Sequence, residues 1–295
     1  MYAVSIRLRH ENGDLGVLEY NSLICINHKK AAYDPGNLYL LSSYFFLYCG
    51  PIIKKVNVFT ESASIYDLIY SFKDYQKEAN KIISIIKATH PNCKSILDIG
   101  CGTAEHHKYL KNEFLIDGLD INEEFISSAK KKNEAGSYYI LDMVDFNLHR
   151  KYDVILCLFS SIGYVITMEK MVSTLKCFNE HLKDDGLVMV EPWFTPDTWY
   201  NGKLHMITYN RDDIKVCRMN MSESNGKLSI INFHYLIGTE DKGVRHFEER
   251  HVLTMFSKEE MLKAFEEAKF EISYDEQGLI GRGMYFGTKK NTLSS

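Results

Sequence analysis

Ser95-Ile-Leu-Asp-Ile-Gly-Cys-Gly-Thr-Ala104 runs as a short apolar, strand-forming stretch, breaks at a Gly-x-Gly turn and then opens toward a helical pattern. Glycines at 100 and 102 let the backbone pass close to a ligand where any side chain would collide. The third position of the dinucleotide fingerprint is Ala104 and not glycine, so this turn alone leaves an ordinary tight βα connection open. Gly118-Leu-Asp-Ile adds to the signal, because Asp120 ends a second strand about 20 residues past the turn, the place for a carboxylate that accepts from ribose hydroxyls. Asp142-Met143 then ends a third strand, where a carboxylate can accept from an adenine amine. Three ligand positions thus fall on three consecutive strand ends.

Outward from that stretch the pattern alternates strand and helix. Ser95–Ile99, Phe114–Leu119, Tyr138–Leu141, Tyr152–Phe159 and Leu187–Glu191 read as strands. Helical stretches near Glu105–Lys111, over Asn122–Asn133 and over Met168–Leu182 lie between them, with a turn at Lys183–Gly186. This is the βαβ rhythm of a parallel sheet. Upstream, Ile65, Leu68, Ile69 and Phe72 recur at helical spacing, and Tyr75–Ile86 reads as a second amphipathic helix. From residue 203 the alternation stops. Strand-like runs at Met206–Tyr209, Ile214–Met221, Lys227–Ile237 and Val244–Phe256 are separated by hairpin signals at Asp212-Asp213, Asn225-Gly226 and Lys242-Gly243. A helix over Ser257–Ala268 opens with Ser257 and Glu260 in capping-box spacing, and strand-like runs near Phe270–Tyr274 and Met284–Thr288 follow.

With 295 residues, 45% of them hydrophobic, the chain can fill one large α/β core with a smaller attached sheet. The formal net charge of -4 provides no overall field for nucleic acid and disfavours a polynucleotide substrate. The seven cysteines are scattered, with no CxxC pair, and read as reduced thiols. His205, His234, His246 and His251 are spread through the strand-rich region without zinc-ligand spacing, so no metal is expected. The longest apolar run, Leu38–Ile53, is broken by serines, Gly50 and Pro51 and falls short of the roughly 20 residues of a membrane helix. No secretory signal pattern is visible. A cytoplasmic protein, monomeric or homodimeric and without membrane partners, is the expectation.

Asp98, inside the first strand, discriminates between ligand classes. A carboxylate there is unusual beside a nucleotide phosphate but suits a ligand carrying an ammonium and a sulfonium. Leu97-Asp-Ile-Gly-Cys-Gly-Thr103 accordingly resembles motif I of class I S-adenosylmethionine-dependent methyltransferases, and Gly118-Leu-Asp-Ile and Leu141-Asp-Met resemble their second and third motifs. From Tyr66 to the C-terminus, about three quarters of the chain, the sequence is similar to the sugar N,N-dimethyltransferases that methylate nucleotide-linked 3-amino-hexoses in macrolide biosynthesis. The matching stretches are Tyr66-Asp-Leu-Ile-Tyr, Lys73-Asp-Tyr-Gln-Lys-Glu-Ala, Phe159-Ser-Ser-Ile-Gly-Tyr, Val190-Glu-Pro-Trp-Phe, Lys242-Gly-Val-Arg-His-Phe and Gly281-Arg-Gly-Met-Tyr-Phe-Gly.

The resemblance implies an α/β, Rossmann-like class I fold with a mostly parallel sheet, helices on both faces and an antiparallel accessory sheet. It implies S-adenosyl-L-methionine as donor and a deoxythymidine-diphosphate amino sugar as acceptor. Donor contacts would come from Tyr75, Asp98, Gly100, Cys101, Gly102 and Asp120, and from Ile121, Asp142, Met143 and Phe159. Acceptor contacts would come from Tyr66, Ser161, Trp193, Arg245 and Arg282, the arginines offering guanidinium forks to a diphosphate. Tyr70 and Tyr164 are the expected catalytic residues, Tyr164 standing where some family members have histidine. Core packing is the alternative role for Tyr66 and Tyr70, hinge packing for Trp193 and a plain surface role for each arginine. The family tends to carry an arginine and an extra glycine just before the Lys-Asp-Tyr element, where this chain has Ser71-Phe72.

Four segments follow: an extension over 1–56 with no counterpart in the family, a donor-binding core over 57–202, an antiparallel insert on the substrate side over 203–256, and a closing segment over 257–295. Two other functions fit the same scaffold, because fold does not fix substrate: methylation of a different amine or hydroxyl, and a donor-binding interaction protein without activity. A base methyltransferase is disfavoured, since Leu158-Phe-Ser-Ser-Ile lacks the Asn/Asp-Pro-Pro-aromatic clamp used on a flipped base.

Overall fold

The computed structural model describes residues 59–290, and the extension assigned to 1–56 lies outside them. A 3₁₀ turn at Ser62–Ile65 leads into α1 (Tyr66–Ile69) and α2 (Tyr75–Thr89). The alternating region follows as β1 (Ser95–Ile99), α3 (His107–Leu110), β2 (Leu115–Asp120), α4 (Glu123–Lys132), β3 (Tyr138–Ile140) and β4 (Tyr152–Cys157). After a 3₁₀ turn at Ser161–Tyr164 come α5 (Met168–His181) and β5 (Leu182–Val190). Four antiparallel strands, β6 (Leu204–Arg211), β7 (Ile214–Asn225), β8 (Leu228–Thr239) and β9 (Gly243–Thr254), precede α6 (Lys258–Glu267), β10 (Phe270–Asp275) and β11 (Met284–Lys289).

The large sheet has the order β10-β11-β5-β4-β1-β2-β3. β3, β2, β1, β4 and β5 pair in parallel, and β11 runs antiparallel between β5 and β10. Every residue of β1 and β4 is buried, as strands covered on both faces must be. One face packs on α5 and α6 through Leu97, Ile99, Leu175, Phe178 and Phe265; the other packs on α2 through Ile82, Ile86, Ile96, Leu156 and Met189. Strand order reverses between β1 and β4, which is where open α/β sheets place their ligand.

Three expectations change. The helix read over residues 64–72 is a 3₁₀ turn plus one turn of α-helix, and Phe72 is 69% exposed instead of continuing the apolar face. The turn assigned to Lys183–Gly186 lies inside β5, where three extra residues are absorbed between the pairs Tyr152↔Leu182 and Val154↔Leu187. The helix near Glu105–Lys111 is only His107–Leu110. The capping box is present as read: Ser257 Oγ accepts from the Glu260 amide at 3.2 Å, and Glu260 Oε2 accepts from the Ser257 amide at 3.0 Å.

β6 to β9 form a separate sheet whose inner face packs on Ile65, Ile69, Tyr70, Tyr164 and Trp193. Its polarity is inverted on β7. Arg218, Asn220 and Ser222 are buried, while Met219 and Met221 are each 45% exposed. We expect Ser257→Ala to remove about 1 kcal/mol of stability, seen as a lower urea midpoint at unchanged slope; an unchanged midpoint would show that the cap contributes nothing.

Candidate active site

Gly100 and Gly102 both adopt positive φ, 68° and 54°. The amides of Gly100 and Cys101 donate to Leu119 O at 2.7 and 3.0 Å, pinning the turn to the end of β2. A Cβ on Gly100 would lie 2.7 Å from Ser161 Cβ, whereas a Cβ on Gly102 would meet nothing within 4 Å. Gly100 is therefore required by a protein neighbour, and Gly102 leaves its side of the turn open to a ligand.

Asp120 closes this turn. Its Oδ2 accepts from the Gly102 amide and its Oδ1 from the Asn122 amide, both at 2.9 Å. Burial pushes its carboxyl up to about 6, and those two hydrogen bonds only partly offset the rise. Asp98 is buried, with Oδ2 3.0 Å from His107 Nε2; His107 Nδ1 in turn lies 2.8 Å from the Tyr138 hydroxyl. Asp98 Oδ1 accepts no hydrogen bond among the described residues. A buried carboxylate oxygen left that way is costly, and an ammonium group from a ligand would satisfy it. Burial holds the Cys101 thiol well above its usual range, so it stays protonated and unreactive. Met143 Cε comes within 3.6 Å of the Gly100 Cβ position, Ile121 is exposed, and Asp142 spends Oδ1 on the Val144 amide. These residues fit the adenosine and methionine ends of the expected donor.

Lys73 supplies the buried cation of the preceding segment. It pairs with Glu78, and its Nζ sits 5.1 Å from the Tyr75 ring and 4.7 Å from the Phe159 ring. Glu78 also meets His106 Nε2 at 2.9 Å, and Tyr75 packs edge-on against His106.

Beyond β4 the chain is strained. Phe159 and Ser160 have φ of 50° and 62°, each costing on the order of 1–3 kcal/mol in a residue with a Cβ. The surroundings fix both. Glu191 Oε2 accepts from the Phe159 amide at 2.7 Å, Ser160 Oγ donates to Pro192 O at 2.7 Å, and Arg282 Nη1 donates to Ser160 Oγ at 2.8 Å. Ser161 Oγ bonds Leu158 O at 3.0 Å and Gly100 O at 3.3 Å. Glu191 is fully buried, its carboxyl raised by that burial, and its Oε1 has no partner among the described residues. Arg282 also lies over the rings of Trp193 and Phe194, while the Trp193 indole donates to Ser229 Oγ at 2.8 Å.

An aromatic cluster faces these loops. Tyr66 and Tyr70 pack with ring centroids 4.6 Å apart, and Tyr70 meets Phe159 edge-on at 5.2 Å. From β7, Arg218 Nη1 donates to the Tyr70 hydroxyl at 3.0 Å, and its guanidinium lies 4.4 Å from the Phe233 ring. Arg218 is 7% exposed, its Nε has no acceptor, and no carboxylate pairs with it among the described residues. A buried guanidinium with only phenol and ring faces around it is suited to an anion.

The Tyr164 hydroxyl lies 2.7 Å from His251 Nδ1, and His251 Nε2 lies 3.6 Å from Glu249 Oε2. Burial would raise the Glu249 carboxyl, but the His251 imidazole beside it and hydrogen bonds from the Ser62 hydroxyl and amide and from the Glu61 amide outweigh that and hold it at about 2. Burial drives the Tyr164 phenol well upward, so it stays protonated.

The fold thus gathers most residues singled out from sequence at the carboxyl ends of the central strands. Arg245 is the outlier, half-exposed and 3.9 Å from Glu61 Oε2. Lys73, His107, Glu191, Arg218 and Glu249 are not singled out by the sequence, and His251 appears there only among histidines without zinc-ligand spacing. For Arg218 a signal existed, an arginine amid strand-forming residues, but the apolar Cys217, Met219 and Met221 point to the opposite face as the buried one.

A methyltransferase-domain family model matches residues 96–186. Over 230 residues the chain is 35% identical to the dTDP-3-amino-3,4,6-trideoxy-alpha-D-glucopyranose N,N-dimethyltransferase of Streptomyces venezuelae, spanning 77% of this chain and 97% of that protein. The crystal structure of DesVI from Streptomyces venezuelae superposes with a TM-score of 0.74 at 34% identity, over 78% of this chain and 99% of that one. An amino pentose methyltransferase of calicheamicin biosynthesis from Micromonospora echinaspora, solved with S-adenosylmethionine bound, gives a TM-score of 0.70 at 28% identity over 77% and 97% of the two chains.

Calorimetric titration with S-adenosylmethionine should find Asp120→Ala weaker by roughly 1.5–3 kcal/mol, the value of hydrogen bonds to a charged group. Since the ionised carboxylate is the acceptor and its pKa is raised to about 6, wild-type affinity should be level above neutrality and fall as pH drops through that value. Equal affinity in the variant, or a flat profile down to pH 5, would remove Asp120 from the donor site.

Proposed function

The chain belongs to the class I S-adenosylmethionine-dependent methyltransferases related to the dTDP-amino-sugar N,N-dimethyltransferases, and from that premise we propose that it methylates the 3-amino group of a dTDP-linked deoxy sugar twice. The observation that carries the acceptor class is Arg218, a buried guanidinium without a carboxylate partner, donating to Tyr70 beside the donor loops. A neutral acceptor would leave that charge unanswered, whereas a diphosphate answers it. Arg282, held over Trp193, lies beside the same strained loop and offers further donors.

In this reading the insert over 203–256 lies on the substrate side of the core over 57–202, and residues 257–295 complete that core. S-adenosylmethionine, when bound, supplies a methyl group on a sulfonium. The protein's part is to keep the amine in line, dry and free of its proton. Asp98 Oδ1 and Asp120 hold the two ends of the donor, with Gly102 leaving room for it and Tyr75, Ile121, Asp142 and Met143 around it. Phe159, Ser161, Tyr66 and Tyr70 wall the space where donor and acceptor meet.

Tyr164 takes the amine proton while passing its own to His251 Nδ1, and Glu249, ionised at any working pH, steadies the resulting imidazolium. The raised phenol rules out a free tyrosinate, so the transfer is concerted through the hydrogen bond. An imidazole is thereby kept in the proton path although position 164 carries tyrosine. No helix among the described residues is long and apolar enough to cross a membrane, and we place the enzyme in the cytoplasm.

Mass spectrometry of dTDP-3-amino sugars incubated with enzyme and donor should show a gain of two methyl groups; donor binding with no product on any nucleotide sugar would sink this acceptor. Arg218→Ala should raise the acceptor KM and leave donor affinity alone, and equal loss for both ligands would cancel its diphosphate role. Tyr164→Phe and His251→Ala should each lower kcat by about 10²-fold or more, as loss of a proton acceptor does, with acceptor KM little changed; unaltered kcat in both would show that solvent takes the proton.

A further inference from the structure

The outer face of the accessory sheet points away from Arg218, Tyr235 and Glu249, which line its buried side. On that outer face the pairing of β8 with β9 sets His234 directly opposite Glu248, and His246 lies two residues before Glu248 on the same strand. His234 Nδ1 is 3.2 Å from Glu248 Oε1, and His246 Nε2 is 3.9 Å from the same oxygen. The two imidazoles stack with centroids 5.7 Å apart and planes 12° from parallel. One ligand atom from each residue lies within 4.8 Å of the other two.

That arrangement is more than an ion pair needs. A histidine paired with glutamate uses one imidazole, and two protonated imidazoles stacked this closely would repel each other across a single carboxylate. Both present a ring nitrogen toward the same oxygen. Bonds of about 2.0–2.2 Å around a tetrahedral ion separate neighbouring ligand atoms by roughly 3.3–3.6 Å. The 3.2 and 3.9 Å separations from Glu248 bracket that range, and turning the two exposed, near-parallel rings toward each other brings both nitrogens to face one ion. Two imidazoles and a carboxylate suit zinc, nickel or copper rather than calcium or magnesium, which prefer all-oxygen shells.

We propose that His234, His246 and Glu248 form a binding site for a divalent transition-metal ion, zinc foremost, that joins β8 to β9 and leaves one coordination position to solvent. The site is separate from the methyl-transfer chemistry and stands whatever the acceptor is. The ion's work is mechanical: it ties the two strands that carry Tyr235, Glu249 and His251.

The test uses the full chain, stripped of metal with a chelator. Cobalt added to wild type should give the visible absorption of a four-coordinate centre, zinc should abolish that band, and calorimetry should record one equivalent of zinc. Zinc should also raise the thermal midpoint. His246→Ala and the double variant His234→Ala/His246→Ala should lose the band, the zinc equivalent and the thermal shift, while Glu248→Gln should weaken zinc binding at least tenfold. All three side chains are exposed, so the metal-free variants should melt with wild type. A wild type that takes up no zinc overturns the proposal, and so does a double variant that binds zinc as wild type does.

Discussion

Ser161 approaches Gly100 so closely that a single methyl group on the glycine would overlap it. This contact joins the turn after β1 to the loop after β4 at the point where strand order reverses. Ser161 can reach there only because Phe159 and Ser160 accept left-handed backbone, and they do so because Glu191, Pro192 and Arg282 hold them. One steric fact thus sets the donor turn, the loop that carries Tyr164 and the C-terminal arginine in a fixed relation. Bulk at position 100 would disturb all three together, with strain at a positive φ added to the collision.

The accessory sheet answers a different constraint. Its buried face carries Arg218, Asn220, Ser222, Glu249 and His251 among the aromatic rings. Each buried polar group must find a partner or cost stability. Glu249 has its hydrogen-bond partners in Ser62 and Glu61, whereas Arg218 Nε, Asp98 Oδ1 and His251 Nε2 have none among the described residues. The groups satisfied by Ser62 and Glu61 tie the sheet to the segment before α1.

Much of the donor half was legible from sequence because its determinants are local. Asp98, Gly100, Gly102, Asp120 and Asp142 sit at successive strand ends, and β1 and β4 announce themselves as apolar runs buried on both faces. What depends on the face a strand shows, or on register across a hairpin, was not. On β7 the apolar alternation points to Met219 and Met221 as core and to Arg218 as surface, the reverse of what the sheet does. His234 and His246 look dispersed along the chain until β8 folds back on β9. The Asp184-Asp185-Gly186 segment carries turn composition, yet β4 and β5 share a register that absorbs it as extra strand residues.

The position of Arg282 has a consequence for how the enzyme comes into being. On the ribosome, where domains acquire structure from the amino end, β1 to β5 and the whole donor turn emerge well before the loop that delivers Arg282 and before β11. Until β11 pairs with it, the outer edge of β5 is an open strand edge, able to pair with another chain. A nascent chain, or one cut short after α6, therefore carries the Gly-x-Gly turn beside an unbraced strap and an open strand edge. The loop before β11 thus braces the strained strap after β4, and β11 itself seals the sheet, so the final stretch of the described chain closes two distant parts of the fold at once.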